Sequence, residues 1–310
     1  MKFSATDAAF EGFRLVRRNP MALIAWAVLY LAVTLTQIGA MGRMGSGMAE
    51  MERLGEAMET NPPQSLQDMT PLLQAYGEML SSVSWMFPLS MLVSIMISAA
   101  VARGVIFPKT GGALGYLRIG MDEVRVAVVT LVVAILTCII AVAAFVAAGV
   151  AGGVAVASIE GWGVLIMVLL MMAAFGFIIW LAVRWSLAVP ITVAEKRFAI
   201  FDSFKVTRGR FWSLLGMAIL AGVLAVVVWL LSLIVSGPIS IMSGMGLAGL
   251  DSDDPAAVFE AFSYSNPWVI ASAVVNAIIG ALTVGVVYAP FSAAYLALTG
   301  KGEATAAEAH

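Results

Sequence analysis

The side chains best able to do chemistry are few here, and they are scattered. The one cysteine, Cys138, lies inside a long apolar run, and the one histidine, His310, is the last residue. A Cys/His metal site or a Cys–His catalytic pair needs a second such group, so one chain builds neither. No Ser/His/Asp set, phosphate loop or HExxH motif is present, which points away from an enzyme. Asp251, Asp253 and Asp254 start like a calcium loop but lack its glycine and terminal glutamate. Helix capping and solvation is their expected use. Met41, Met44, Met48, Met51 and Met58 fit one helical face. Thioethers at that spacing suit Cu(I), yet such a stripe more commonly serves as adaptable apolar packing. The expectation is no cofactor.

The remaining candidates are basic clusters: Arg14, Arg17 and Arg18, then Lys205, Arg208 and Arg210. Both sit in a repeated segment. Phe10-Glu-Gly-Phe13-Arg14-Leu-Val-Arg17 matches Phe201-Asp-Ser-Phe204-Lys205-Val-Thr-Arg208 at an offset of 191 residues. Leu117–Asp122 is a weaker third copy. Helical spacing puts Phe10, Phe13 and Val16 on one face, with Asp7, Glu11, Arg14 and Arg18 on another. Phe198, Phe201 and Phe204 repeat the pattern. Such helices lie in the headgroup plane, aromatics down and basic groups beside anionic phosphates. The six basic residues are the expected contacts for anionic lipid or an acidic membrane-protein partner.

What positions them is a set of six apolar runs: Pro20–Ala40, Trp85–Ile106, Val126–Val150, Val164–Arg184, Phe211–Val235 and Pro267–Leu298. Each reaches the roughly 20 residues that span a hydrocarbon core as a helix. Only 12% of residues are charged, against about 25% in soluble domains, and mean hydropathy is +0.98. A net charge of −2 argues against a nucleic-acid partner. The first run begins too late and is too long for a cleavable signal, so it is expected to stay as a span. Fifteen of the 17 basic residues and eight of the 19 acidic ones fall on the N-terminal side of the spans. The other side carries Arg43 and Arg53 against eleven acids. The positive-inside rule then puts both termini in the cytoplasm.

The expected fold is all-α: six transmembrane helices as three tandem hairpins, each preceded by a cytoplasmic interfacial helix. One membrane domain covers residues 1–300, with repeat units 4–106, 112–185 and 198–298 and a flexible tail, 301–310. Asn19-Pro20 caps and starts the first span. Met41–Ser82 is the longest loop, broken at Asn61-Pro62-Pro63, with a short helix opening at Thr70-Pro71. The Gly149–Gly153 run is expected to turn between spans three and four. Asp254-Pro255 is expected to open another short helix.

Small residues recur at four-residue steps on two spans: Ser90, Ser94, Ser98 and Ala102, then Ala273, Ala277, Ala281 and Gly285. They let helix backbones approach closely. Asn276 beside them is the clearest mid-membrane polar group. An interhelical hydrogen bond worth about 0.6 kcal/mol is its expected role, a gate its alternative. The apolar runs hold almost no ionisable groups, which counts against an ion-driven pump.

Arg184-Trp-Ser-Leu-Ala-Val-Pro190, Ala194-Glu195, Phe201-Asp-Ser-Phe204 and Thr207-Arg208-Gly209-Arg210-Phe211-Trp212 resemble a pattern of bacterial six-helix membrane families. These are the membrane domain attached to some glycerophosphodiester phosphodiesterases and stand-alone relatives of the YciC type. The motif covers about residues 184–220. The resemblance implies a helical inner-membrane protein, and it implies no catalytic residue, because the phosphodiesterase chemistry belongs to a separate soluble domain. The expected function is non-enzymatic: organising an envelope or lipid-related process through a basic cytoplasmic collar. The alternative is a passive or partner-driven transporter component, with a path between hairpins.

Overall fold

The computed structural model describes residues 4–62, 65, 67–110, 114–118, 120–159, 161–243 and 264–300, and these residues are helical apart from turns and short connections. The helices are α1 (Ala5–Ala9), α2 (Glu11–Arg18), α3 (Pro20–Thr60), α4 (Thr70–Ser84), α5 (Met86–Ile106), α6 (Met121–Ser158), α7 (Gly163–Trp185), α8 (Ala188–Glu195), α9 (Asp202–Val206), α10 (Phe211–Met242) and α11 (Pro267–Thr299). Six stretches are long and apolar enough to cross a membrane: Pro20–Met41, Thr70–Ile106, Met121–Ser158, Gly163–Glu195, Phe211–Met242 and Pro267–Thr299. The protein is therefore a polytopic membrane protein.

Two expected loops are helix instead. The segment after Met41 continues α3 to Thr60: its Met, Ala and Glu residues are good helix formers that offset the glycines at 42, 45, 47 and 55, and no proline interrupts it before Pro62. The Gly149–Gly153 run lies inside α6 rather than at a turn. The reversal comes later, after α6 ends at Ser158 and before α7 begins at Gly163, with Gly161 at φ +79°. Gly152 serves packing. A Cβ on Gly152 would lie 2.5 Å from Met167 Cγ, so the α6–α7 hairpin closes through that gap. Conversely, the expected third interfacial helix is absent among the described residues. Leu114–Tyr116 is a turn, with Gly115 and Tyr116 both at positive φ. The Asp251/Asp253/Asp254 segment and the tail 301–310 lie outside the described residues.

Asn19 makes no side-chain capping bond, so Pro20 alone fits the start of α3. Asn266 does cap α11: its Oδ1 accepts from Trp268 N at 3.0 Å, and its Nδ2 donates to Ser243 O at 2.8 Å.

The chain separates into two compact units, which the long helices α5, α10 and α11 enter in succession. The first comprises residues 1–18, 95–223 and 285–310. Leu15, Ile97, Val101, Val126, Val129, Leu187, Ile191, Leu214 and Tyr295 are fully buried in its core. The second comprises 19–94 and 224–284. There Ile38, Val269 and Ala273 pack with Leu31 and Leu35.

Candidate functional site: the basic clusters and their supports

The first unit holds both basic clusters, and their members divide by partner. Ser4 caps α1 by accepting from Asp7 N at 3.2 Å. Arg14 on α2 reaches back to Asp7 Oδ1 at 3.1 Å and Glu11 Oε2 at 3.5 Å. Arg18, two turns beyond Glu11, donates to its Oε1 at 3.0 Å. On α9, Asp202 receives Arg197 Nη1 at 2.6 Å and Lys205 Nζ at 3.2 Å. Arg197 also pairs with Glu195, whose Oε1 accepts from Tyr295 Oη at 3.3 Å. Arg17, Arg208 and Arg210 are exposed and make no ion pair among the described residues.

The Arg14 hydrogen bond holds the Asp7 carboxyl below its ordinary range. The Lys205 and Arg197 bonds do the same for Asp202. Carboxylates lowered in this way stay ionised through the usual carboxylate range. Their support is present above that range and is lost as pH falls through the lowered values. At neutral pH these ties are closed, and as exposed pairs they contribute little stability.

The aromatic pattern differs from expectation at Phe204. Phe198 and Phe201 are exposed, as is Trp212, whose ring meets Phe211 edge-on at 5.2 Å. Phe204 instead turns inward, meeting Trp180 at 6.2 Å and Trp185 at 5.7 Å. On α1 and α2 the residues packed into the protein are Ala8, Ala9, Gly12 and Leu15, while Phe10 stays exposed.

The residues quoted in the 184–212 pattern build one local seat. α7 breaks after Trp185 and resumes as α8, with Pro190 in the tolerated first turn. Ser203 Oγ fills that break, donating to Arg184 O at 2.5 Å and accepting from Leu187 N at 3.2 Å. Arg184 Nη1 donates to Thr207 Oγ1 at 3.3 Å, and its guanidinium lies 5.3 Å from the Trp180 ring centre. The basic cluster after α9 is thus fixed to the end of span four. Ser203→Ala strands a buried N–H and a carbonyl, a loss of about 1–3 kcal/mol. Thermal unfolding in detergent should show a lowered midpoint, and Ser203→Thr should retain part of the bond.

Sequence reasoning missed a buried ion pair in this unit. Arg103 in the last turn of α5 pairs with Glu123 in the first turn of α6, and their side chains are 7% and 10% exposed. Beyond that pair, neither carboxylate oxygen nor Arg103 Nε has a hydrogen-bond partner among the described residues. Thr130 Oγ1, two turns along the same face of α6, is also buried without a partner.

The remaining candidates fall as follows. Ser90 accepts from Gln37 Nε2 at 3.2 Å, Ser94 is half-buried, and Ser98 donates to Ile95 O in its own helix. Ala273, Ala277 and Ala281 are buried, and so is Gly285. Asn276 is exposed and makes no hydrogen bond among the described residues, so the expected interhelical bond does not form. One position before Ala277, it projects about 100° round the helix from that buried face. Within the second unit, Leu23, Ala27, Leu31, Val274, Ala277 and Ile278 line most of an apolar cleft of 260 Å³. In the first, Met167, Met171, Met172 and Phe175 line a wider apolar recess on α7. No group of three or more His, Cys, Asp or Glu side chains is placed to hold a metal among the described residues.

No protein-family model, curated protein or solved structure matches the chain.

Proposed function

We propose that this is a non-enzymatic, multi-pass protein of the bacterial inner membrane, of the six-helix kind that residues 184–220 resemble. Both termini lie in the cytoplasm. Its basic cytoplasmic face holds anionic lipid or an acidic membrane partner, and through that contact it organises an envelope or lipid-related process. The observation that carries this reading is the division among the six basic residues. Arg14, Arg18 and Lys205 are tied to acids of the same chain, whereas Arg17, Arg208 and Arg210 are exposed and unpaired among the described residues. Exposed Phe198, Phe201 and Trp212 flank the second cluster and suit the headgroup level. The two clefts are lined by apolar residues, which fits contact with lipid better than a polar transport path.

The test separates the two groups. Each unpaired arginine beside an anionic leaflet is worth about 1 kcal/mol. Arg17→Gln, Arg208→Gln and Arg210→Gln together should strip co-purifying anionic lipid or the acidic partner. Arg14→Gln, Arg18→Gln and Lys205→Gln together should remove much less. Equal retention by both variants would sink the collar reading and leave the transporter alternative in its place.

A further inference from the structure

The second unit contains a helical hairpin formed by the C-terminal part of α3 and by α4. α3 passes the end of its apolar window at Met41 and packs along α4. Met44, Met48 and Met51 fall on one face of this extension, and each is half-buried. Gly47 lies among them. Met79 of α4 descends onto that notch, its Cβ and Cγ 3.4 Å from where a Cβ on Gly47 would sit. Met44 is one turn before the notch, Met48 adjoins it, and Met51 is one turn beyond. The fourth thioether is supplied from a helix that the α3 stripe alone does not reveal.

We propose that Met44, Met48, Met51 and Met79 form a thioether site for Cu(I). Thioether sulfur is a soft ligand that selects Cu(I) over harder divalent ions. Three rotatable bonds per methionine let the sulfurs converge on the notch while the helices stay in place. The surroundings favour a cation. Residues 41–84 carry Glu50, Glu52, Glu56, Glu59, Asp68 and Glu78 against Arg43 and Arg53, a net charge of −4. Methionine at all four positions places three soft donors along one face of α3 and a fourth on α4 against Gly47.

The chemistry sets the site apart from any other donors in the chain. Thiolate, imidazole and carboxylate ligands must lose a proton to bind metal, whereas a thioether does not. Occupancy is therefore independent of pH across the carboxylate and histidine ranges. Oxidation to methionine sulfoxide, which turns the side chain polar, abolishes it.

The probe is Ag(I), a redox-stable d¹⁰ ion of the same softness. It is titrated calorimetrically, as the nitrate in chloride-free buffer, into the full chain in detergent. Cys138→Ser and His310→Ala in the background remove the only thiol and imidazole. The expected result is one equivalent bound, alike at neutral pH and near pH 5, and lost after mild peroxide treatment. The same step should vanish in Met79→Leu and in the quadruple leucine variant. Met→Leu conserves volume and costs less than about 1.5 kcal/mol per site, so unchanged helicity by circular dichroism certifies the fold. Absence of binding overturns the proposal, and so does binding that survives the quadruple variant. Binding that disappears near pH 5 also overturns it, because carboxylates would then be the ligands.

Discussion

Glu123→Ala and Arg103→Ala are each expected to destabilise the protein by about 3–5 kcal/mol, because each leaves a buried charge without its counterion. The two side chains are 7% and 10% exposed, so water does not replace the lost partner. Their placement adds to the pairing. Arg103 lies in the last turn of α5 and Glu123 in the first turn of α6, the ends where the helix dipoles favour those signs. The pair fastens the two ends of the connection between spans two and three. Tyr116 closes the same connection, since its Oη donates to Pro108 O at 3.0 Å and its ring contacts the position of Gly104. The double variant Arg103→Met/Glu123→Leu is the decisive control. Replacing both charges with apolar groups removes the desolvation cost along with the attraction, so most of the lost stability should return. Unfolding in detergent measures all three variants. A double variant as weak as either single one would show that the heads anchor something beyond each other.

That pair also marks where sequence reading stops. Six spans are legible because length and hydropathy are local properties, and the bilayer requirement is severe. Arg103 and Glu123, by contrast, are twenty positions apart across a segment rich in Gly. Each looks like one more charge near the membrane surface until the chain folds back and buries both. The same limit hid the role of Met79. A stripe at 44, 48 and 51 can be counted in sequence, but the partner across the seam depends on α3 running on to Thr60. Asn61-Pro62 reads as a breaker in the sequence, whereas the helix before it is interrupted by four glycines and reads as loop despite the helical spacing of its methionines. Phe204 shows the opposite error. Its spacing from Phe198 and Phe201 predicts a shared face, but α9 spans only Asp202–Val206. The irregular chain before it rotates Phe204 onto Trp180 and Trp185. Asn276 failed for a simpler reason: a polar residue in an apolar span invites a partner, and one residue of helical rotation takes it off the packed face.

Gly12→Ala should loosen the attachment of α2 to α11 at Gly285 and Val286, although the same change in an open helix is favourable. Alanine exceeds glycine in helix propensity by about 1 kcal/mol, so α2 taken alone gains from the substitution. The contact reverses the sign. A Cβ at Gly12 would lie 2.5 Å from Val286 Cα and 2.6 Å from Gly285 O. Those are backbone atoms of a helix whose neighbouring Val286 and Ala289 are fully buried, so neither side can yield by a rotamer change. The overpacking penalty of about 1–3 kcal/mol exceeds the propensity gain. Leucine enlarges the clash and is expected to release α1 and α2, carrying Arg14, Arg17 and Arg18 with them. Gly77→Ala on α4 supplies the reference, because nothing lies within 4 Å of its Cβ position. The measurements are thermal unfolding in detergent and proteolysis near residues 10–18. Gly77→Ala should hold or raise the midpoint, Gly12→Ala should lower it, and Gly12→Leu should expose the N-terminal helices to cleavage. A midpoint for Gly12→Ala equal to that of Gly77→Ala would mean that α2 does not rest on α11 at this glycine.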